Sequence, residues 1–155
     1  MAENNPPRLS ARKVYLKDAS FESPGSPGVF LQSNIQPDID LNINVNHQKI
    51  DEEGKYFEVT LQVTSTATQD DATMFLAEVV QAGIFEINAE EDTHKELLLQ
   101  VGCPNMLLPF AREELASLVS KGGFPQLLIS PINFEAVYRQ KLAAASGDEE
   151  SPTIQ

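Results

Sequence analysis

The stretch PDIDLNINVNH, residues 37–47, leaves its backbone little choice. Ile39, Leu41, Ile43 and Val45 alternate without a miss with Asp38, Asp40, Asn42, Asn44 and Asn46. Successive side chains of a strand point to opposite faces, whereas a helix would scatter these apolar groups around its circumference. The segment is therefore a strand with one apolar and one polar face. Strands of that kind belong to antiparallel sheets, which can be covered on one side and wet on the other.

The neighbouring segments extend the sheet. KYFEVTLQVTST, residues 55–66, puts Phe57, Val59, Leu61 and Val63 on one face, and the DEEG at 51–54 is a turn signal between the two strands. After a second polar turn, TQDD, comes ATMFLAEVVQAGIFEI, residues 72–87. One face of that strand carries Met74, Leu76, Glu78, Val80 and Ile84; the other carries Phe75, Ala77, Val79, Gly83, Phe85 and Ile87. A strand apolar on both faces is usually covered on both, so another subunit or a partner is expected to bury part of it. Upstream, residues 11–22 read as a strand with Val14, Leu16 and Asp18 on one side and Tyr15, Lys17, Ala19 and Phe21 on the other.

From Cys103 onward the period changes. Leu108, Ala111, Leu115, Leu118 and Val119 recur at helical spacing. Pro109 cannot sit deep in a helix without a kink, so the regular part is expected to begin near it and to stop at Lys121 and Gly122-Gly123. A second helix starts at the N-cap Asn133, with Phe134, Val137, Tyr138, Leu142 and Ala145 as its apolar stripe. The expected fold class is α+β: a four-stranded antiparallel sheet followed by two helices. Residues 1–10 read as a disordered arm, residues 11–145 as one domain, and residues 146–155 as a disordered acidic tail.

Composition narrows the function. Eleven basic residues against twenty-three acidic ones give a net charge of −12, which repels nucleic-acid backbones and favours basic partners. No apolar run approaches the roughly 20 residues of a membrane helix, and the N-terminus has no secretory signal, so a cytoplasmic protein is expected. Asp38, Asp40 and Asn42 mimic the start of a calcium loop, but Ile43 and Lys49 stand where Gly and Glu would be needed. His47, His94 and the single Cys103 lack zinc spacing, and no phosphate loop, nucleophile elbow or dinucleotide fingerprint occurs. Neither an enzyme nor a cofactor is indicated.

One segment remains, SFESPGSPGVF at residues 20–30. Pro24 and Pro27 among glycines make it a loop, yet Phe21, Phe30 and Ile35 bracket it. Those side chains either pin the loop to the core or line a gap beside the sheet that accepts a ligand.

Four colinear stretches resemble the SecB family of bacterial protein-export chaperones: KDASFESP at 17–24, FLAEVVQAGIF at 75–85, CPNMLLPFARE at 103–113 and GGFPQLLISPINFEAVY at 122–138. The resemblance implies a homotetramer built as a dimer of dimers, with Ala77, Val79, Gln81, Leu108, Leu115 and Leu118 at subunit contacts. It implies an ATP-independent holdase that grips unfolded precursor proteins and passes them to the SecA motor, without entering the membrane. The docking surface for SecA would be Asp18, Glu22, Leu76 and Glu78. The breaker-rich stretch would be a crossover loop forming one wall of the client groove with Phe21, Phe30 and Ile35. Ile39, Leu41 and Ile43 would supply the floor, and Tyr138 and Leu142 the other wall. The chain departs from the family pattern at Ile35, where a tryptophan is common, at Ala82, where glycine is usual, and at Phe110, where tyrosine is usual.

Overall fold

A computed structural model of the chain describes residues 6–146. Four strands, β1 (Arg8–Glu22), β2 (Asp38–Lys49), β3 (Tyr56–Gln69) and β4 (Ala72–Asn88), form one antiparallel sheet in the order β1-β4-β3-β2. The two turns chosen from the sequence close the hairpins. The Asp51 carboxylate accepts the N–H groups of Lys55 and Tyr56 at 3.0 and 2.9 Å, with Gly54 at φ +72°. Asp70 and Asp71, at φ 52° and 61°, make the left-handed two-residue turn that matches strand twist.

The alternation of β2, β3 and β4 survives in space. Val59, Leu61, Val63, Ala77, Val79 and Phe85 are fully buried on one face, whereas Asp38, Asp40, Asn42 and Asn44 are exposed on the other. Strand β1 departs from the expected parity. Its ladder with β4 slips between Ala11 and Lys13 and again between Leu16 and Asp18, leaving Arg12 and Lys17 as extra residues. Each bulge reverses the facing of everything beyond it. Val14 and Leu16 therefore share the buried side with Ala19 and Phe21, opposite Gly83, Gln81, Val79 and Ala77. The strand also begins at Arg8 instead of Ala11, because the long β4 still offers Asn88, Ile87 and Glu86 as partners for Arg8, Leu9 and Ser10. A third slip leaves Met74 unpaired between Ala67↔Phe75 and Thr68↔Thr73, and its side chain is buried instead of facing outward with Leu76.

The helical region is longer than expected. It opens with α1 (Asp92–Leu97), passes through a single π turn at Leu98–Gly102 and continues as α2 (Cys103–Lys121). His94 thus lies on a helix, exposed, instead of on a loop. Pro109 sits inside α2; Asn105 and Pro109 are both on its exposed side, so water can serve the Asn105 carbonyl that the proline cannot. Helix α3 (Phe134–Ala145) starts where expected, with the Asn133 side chain accepting the Ala136 N–H at 3.2 Å. The arm's residues 1–5 and the tail's residues 147–155 lie outside the described residues.

Helix α2 lies across β4 and β3, and its Leu107, Ala111, Leu115 and Val119 are fully buried there. The same helix decides where the expected subunit-contact residues go. Ala77, Val79 and Leu115 are completely enclosed by their own chain, Gln81 and Leu108 are 5% and 7% exposed, and Leu118 is half-buried. Within the chain, α2 covers this face of β4.

Candidate functional site

Strands β1 and β2 are opposite edges of the sheet, so the connection between them must traverse its full width, roughly 14 Å at the usual strand spacing. Residues 23–37 make that crossing. Val29, in a short 3₁₀ turn (Gly28–Leu31), is buried in the core and anchors the middle. The flanking aromatics close on Phe124, which follows helix α2. Ring centroids are 5.3 Å apart for Phe30–Phe124, 6.3 Å for Phe21–Phe124, 5.0 Å for Phe75–Phe124 and 5.8 Å for the stacked Phe21–Phe75 pair.

Gly122 and Gly123, the helix stop, are also the seats of these rings. A Cβ on Gly122 would fall inside the Phe21 ring, and one on Gly123, which sits at φ +90°, would lie 2.9 Å from Phe30. Phe21 is half-buried and pins the loop, while Phe30 remains 44% exposed over the same cluster.

Beside the cluster opens an apolar cavity of about 200 Å³, lined by Pro37, Ile39, Phe75, Phe124, Pro125 and Leu127 among others. From it the apolar face of β2 continues: Ile39 is exposed, Leu41 and Ile43 are half-buried, and Ile35 packs half-buried at the loop's exit. Helix α3 flanks the far end of β2, where Lys141 Nζ donates to the Val45 carbonyl at 3.1 Å. Leu142 is 51% exposed. Tyr138 lines a separate shallow cavity with Asp92, Thr93, Glu96 and Leu97, so it is not brought to the aromatic end. Phe75, Phe124, Pro125 and Leu127 were missed by pattern alone. Pattern put Phe75 on the apolar face of β4 without tying it to the loop, and the one sequence signal for Phe124 and Pro125 was an aromatic directly after a diglycine, in GGFP.

The opposite sheet face is polar and graded. At its Arg8 end the carboxylates are tied. Glu58 accepts from Tyr15, from Lys17 at 2.8 Å and from Gln48 at 3.0 Å; Glu86 pairs with Arg12 and with Lys55. The Lys17 hydrogen bond first, then that of Tyr15, holds the Glu58 carboxyl below its usual range, and Arg12 does the same for Glu86. Burial and then the Glu58 bond push the Tyr15 phenol up to about 12.

At the other end the four expected docking residues share one face. Glu22 lies opposite Leu76, Ser20 opposite Glu78 and Asp18 opposite Val80. Among the described residues, none of Asp18, Glu22, Glu78, Asp38 or Asp40 forms an ion pair. Leu76 stands 37% exposed among them.

Other chemistry finds no support in the geometry. Cys103 is fully buried and burial raises its thiol to about 12, so it stays protonated at neutral pH. Among the described residues no helix is long and apolar enough to cross a membrane.

The family model described as preprotein translocase subunit SecB matches residues 2–145. A protein-export protein SecB of Hydrogenovibrio crunogenus is 45% identical over 140 residues, covering 90% of this chain and 92% of its own. That of Chromobacterium violaceum is 47% identical over 137 residues, covering 88% and 89%. That of Pseudomonas paraeruginosa is 43% identical over 157 residues, covering 99% and 94%. In three dimensions the chain resembles a SecB-like chaperone of Mycobacterium tuberculosis, solved in complex with a ChAD peptide from the HigA1 antitoxin. The TM-score is 0.66 at 16% identity, over 81% of this chain and 91% of that one. A family model spanning nearly all of the described fold, and relatives this similar over most of their length, place the chain in the SecB family, whose named members are protein-export proteins and not enzymes.

Proposed function

We propose that the chain is an ATP-independent holdase that binds unfolded precursor proteins in the cytoplasm and delivers them to the SecA motor. The observation that carries this reading is the open apolar floor running from Phe30 and the Pro37–Leu127 cavity along Ile39, Leu41 and Ile43. Burial of client side chains there stabilises by about 25 cal/mol per Å² and needs no particular sequence, so selectivity is for apolar, unfolded chain. One groove is weak after ordering costs, whereas several grooves on one assembly raise effective concentration and hold tightly. The assembly would be a dimer of dimers. Since Ala77, Val79 and Leu115 serve the chain's own core, the apolar side chains offered to other subunits are Leu16, Met106 and Phe110, which are 45%, 40% and 49% exposed.

SecA would dock on Asp18, Glu22, Leu76 and Glu78, where carboxylates free of ion pairs surround one apolar contact. Long-range attraction speeds capture of a basic partner, and the same charge keeps apolar grooves from clumping.

The decisive experiment is suppression of aggregation of a denatured model protein without nucleotide, with native mass spectrometry reporting assembly. Tetramers that hold denatured but not native protein are expected. A stable monomer that ignores denatured chains would overturn the reading. The double variant Ile39→Asp, Leu41→Asp is expected to lose client binding while retaining SecA binding, provided circular dichroism shows it folded.

A further inference from the structure

Strands β2 and β3 pair in register down to Asp38↔Thr68. One step further, Gln69 faces Pro37, which has no N–H to give. The ladder should end there and leave the exit of the crossover loop loose. Instead the Gln69 side chain continues it. Its Oε1 accepts the backbone N–H of Gln36 at 3.0 Å, and its Nε2 donates to the carbonyl of Asn34 at 2.9 Å. A carboxamide is the one side-chain group that presents a donor and an acceptor side by side, as a peptide unit does.

The base of this clasp is firm. Gln69 itself stays in the β3–β4 ladder opposite Ala72, next to the tight Asp70–Asp71 turn. The loop is otherwise held from Ser23, whose Oγ donates to Met74 O at 3.3 Å, to Val29, buried in the core. Beyond Val29 the restraint thins: Leu31 is 89% exposed and Gln32 to Asn34 are exposed. Among the described residues no other side-chain hydrogen bond ties the sheet to residues 31–36. The next residue, Pro37, lines the apolar cavity with Ile39.

We propose that Gln69 is the positioning residue of the groove: its amide stands in for a strand partner, fixes the loop's exit and keeps Pro37 and Ile39 at the cavity mouth. The inference rests on the holdase reading for its functional half, and its structural half is measurable without any client.

The test uses the full chain with Gln69→Met, which keeps length and loses both bonds, and Gln69→Glu, which keeps the acceptor for Gln36 and loses the donor to Asn34. Hydrogen exchange of the Gln36 amide should speed about tenfold in Gln69→Met and stay near wild type in Gln69→Glu. Dissociation of a denatured client should be a few-fold faster in Gln69→Met at an unchanged unfolding midpoint. Wild-type exchange at Gln36 in Gln69→Met overturns the clasp. Faster exchange with unaltered client release overturns its role in the groove. A wild-type chain that holds no client sinks the holdase reading, and the exchange rates still decide whether the clasp exists.

Discussion

The helix-covered face of the sheet and its bare face treat polar groups in opposite ways. On the covered face Val59, Leu61, Val63 and Val79 are wholly enclosed, and the surface left open beside them at the crossover loop is apolar. On the bare face every strand presents polar or charged groups, and what varies is whether those groups have partners. Glu58 and Glu86 are satisfied by neighbours on β1, on β2 and in the turn before β3, while Asp18, Glu22 and Glu78 have no ion pair among the described residues. One sheet therefore separates two recognition modes by its own thickness. Apolar contact is available on one side and long-range charge on the other, so under the proposed function a client and a motor would not compete for the same atoms. Within the bare face, ion-paired carboxylates hold the strands together, while among the described residues Asp18, Glu22 and Glu78 carry no cation, Glu78 accepting only the Thr64 hydroxyl at 3.2 Å.

The separation can be broken most severely from the covered side. Leu115→Ala empties a fully buried site between α2 and the sheet and should cost about 2–5 kcal/mol, read as a lower denaturant midpoint with unchanged slope. A loss below about 1 kcal/mol would mean that α2 is not the cover described. Gly122→Ala drives a methyl group into the Phe21 ring, at an expected cost of about 1–3 kcal/mol from overpacking, together with weaker client binding. Intact client affinity at reduced stability would detach the Phe21 cluster from the groove.

From the bare side the effects should fall on binding. Glu78→Lys reverses a charge at the docking end and should weaken SecA binding about tenfold at low salt, less at high salt, with stability changed by no more than about 0.5 kcal/mol. Equal loss of client binding would show that the two faces are not independent.

The smallest effect concerns the paired end. Glu58 and Glu86 are held below the ordinary value of 4.5, so their contribution is present above that pH and is lost as pH falls through the depressed folded values. Acid unfolding of Glu58→Gln should therefore show a shallower fall below about pH 4.5 than wild type. Its deficit at neutral pH should be about 1 kcal/mol or less, as for exposed pairs generally. An identical acid profile would mean that Glu58 carries no folding-linked proton.

Much of this was legible in one dimension. Period two in β2, β3 and β4 named the faces except at Met74, and the turn chemistry at Asp51–Gly54 and Asp70–Asp71 marked the hairpins. Asp18, Glu22, Leu76 and Glu78 were expected on a common surface and share one. The failures have physical causes. Arg12 and Lys17 bulge out of β1; the three-residue steps from Ala11 to Val14 and from Leu16 to Ala19 mark those bulges, and a strict period of two overlooks them. The helical start was placed near Pro109 because a proline interior to a helix is costly; the exposed position of Asn105 and Pro109 lowers that cost.

What the chain's order of residues determined by itself is local: which segments extend, which coil, where they turn and which side of each strand avoids water. These follow from periodicity and backbone sterics within a few residues. Tertiary structure alone decided that Gly122 and Gly123 seat Phe21 and Phe30, about a hundred positions earlier in the chain, that Gln69 reaches past Pro37 to the crossover loop, and that α2 covers Ala77 and Val79. Such contacts join segments whose patterns carry no information about one another. They come into being only when the sheet order β1-β4-β3-β2 sends the loop across the sheet and packing density leaves each ring a single place to fit.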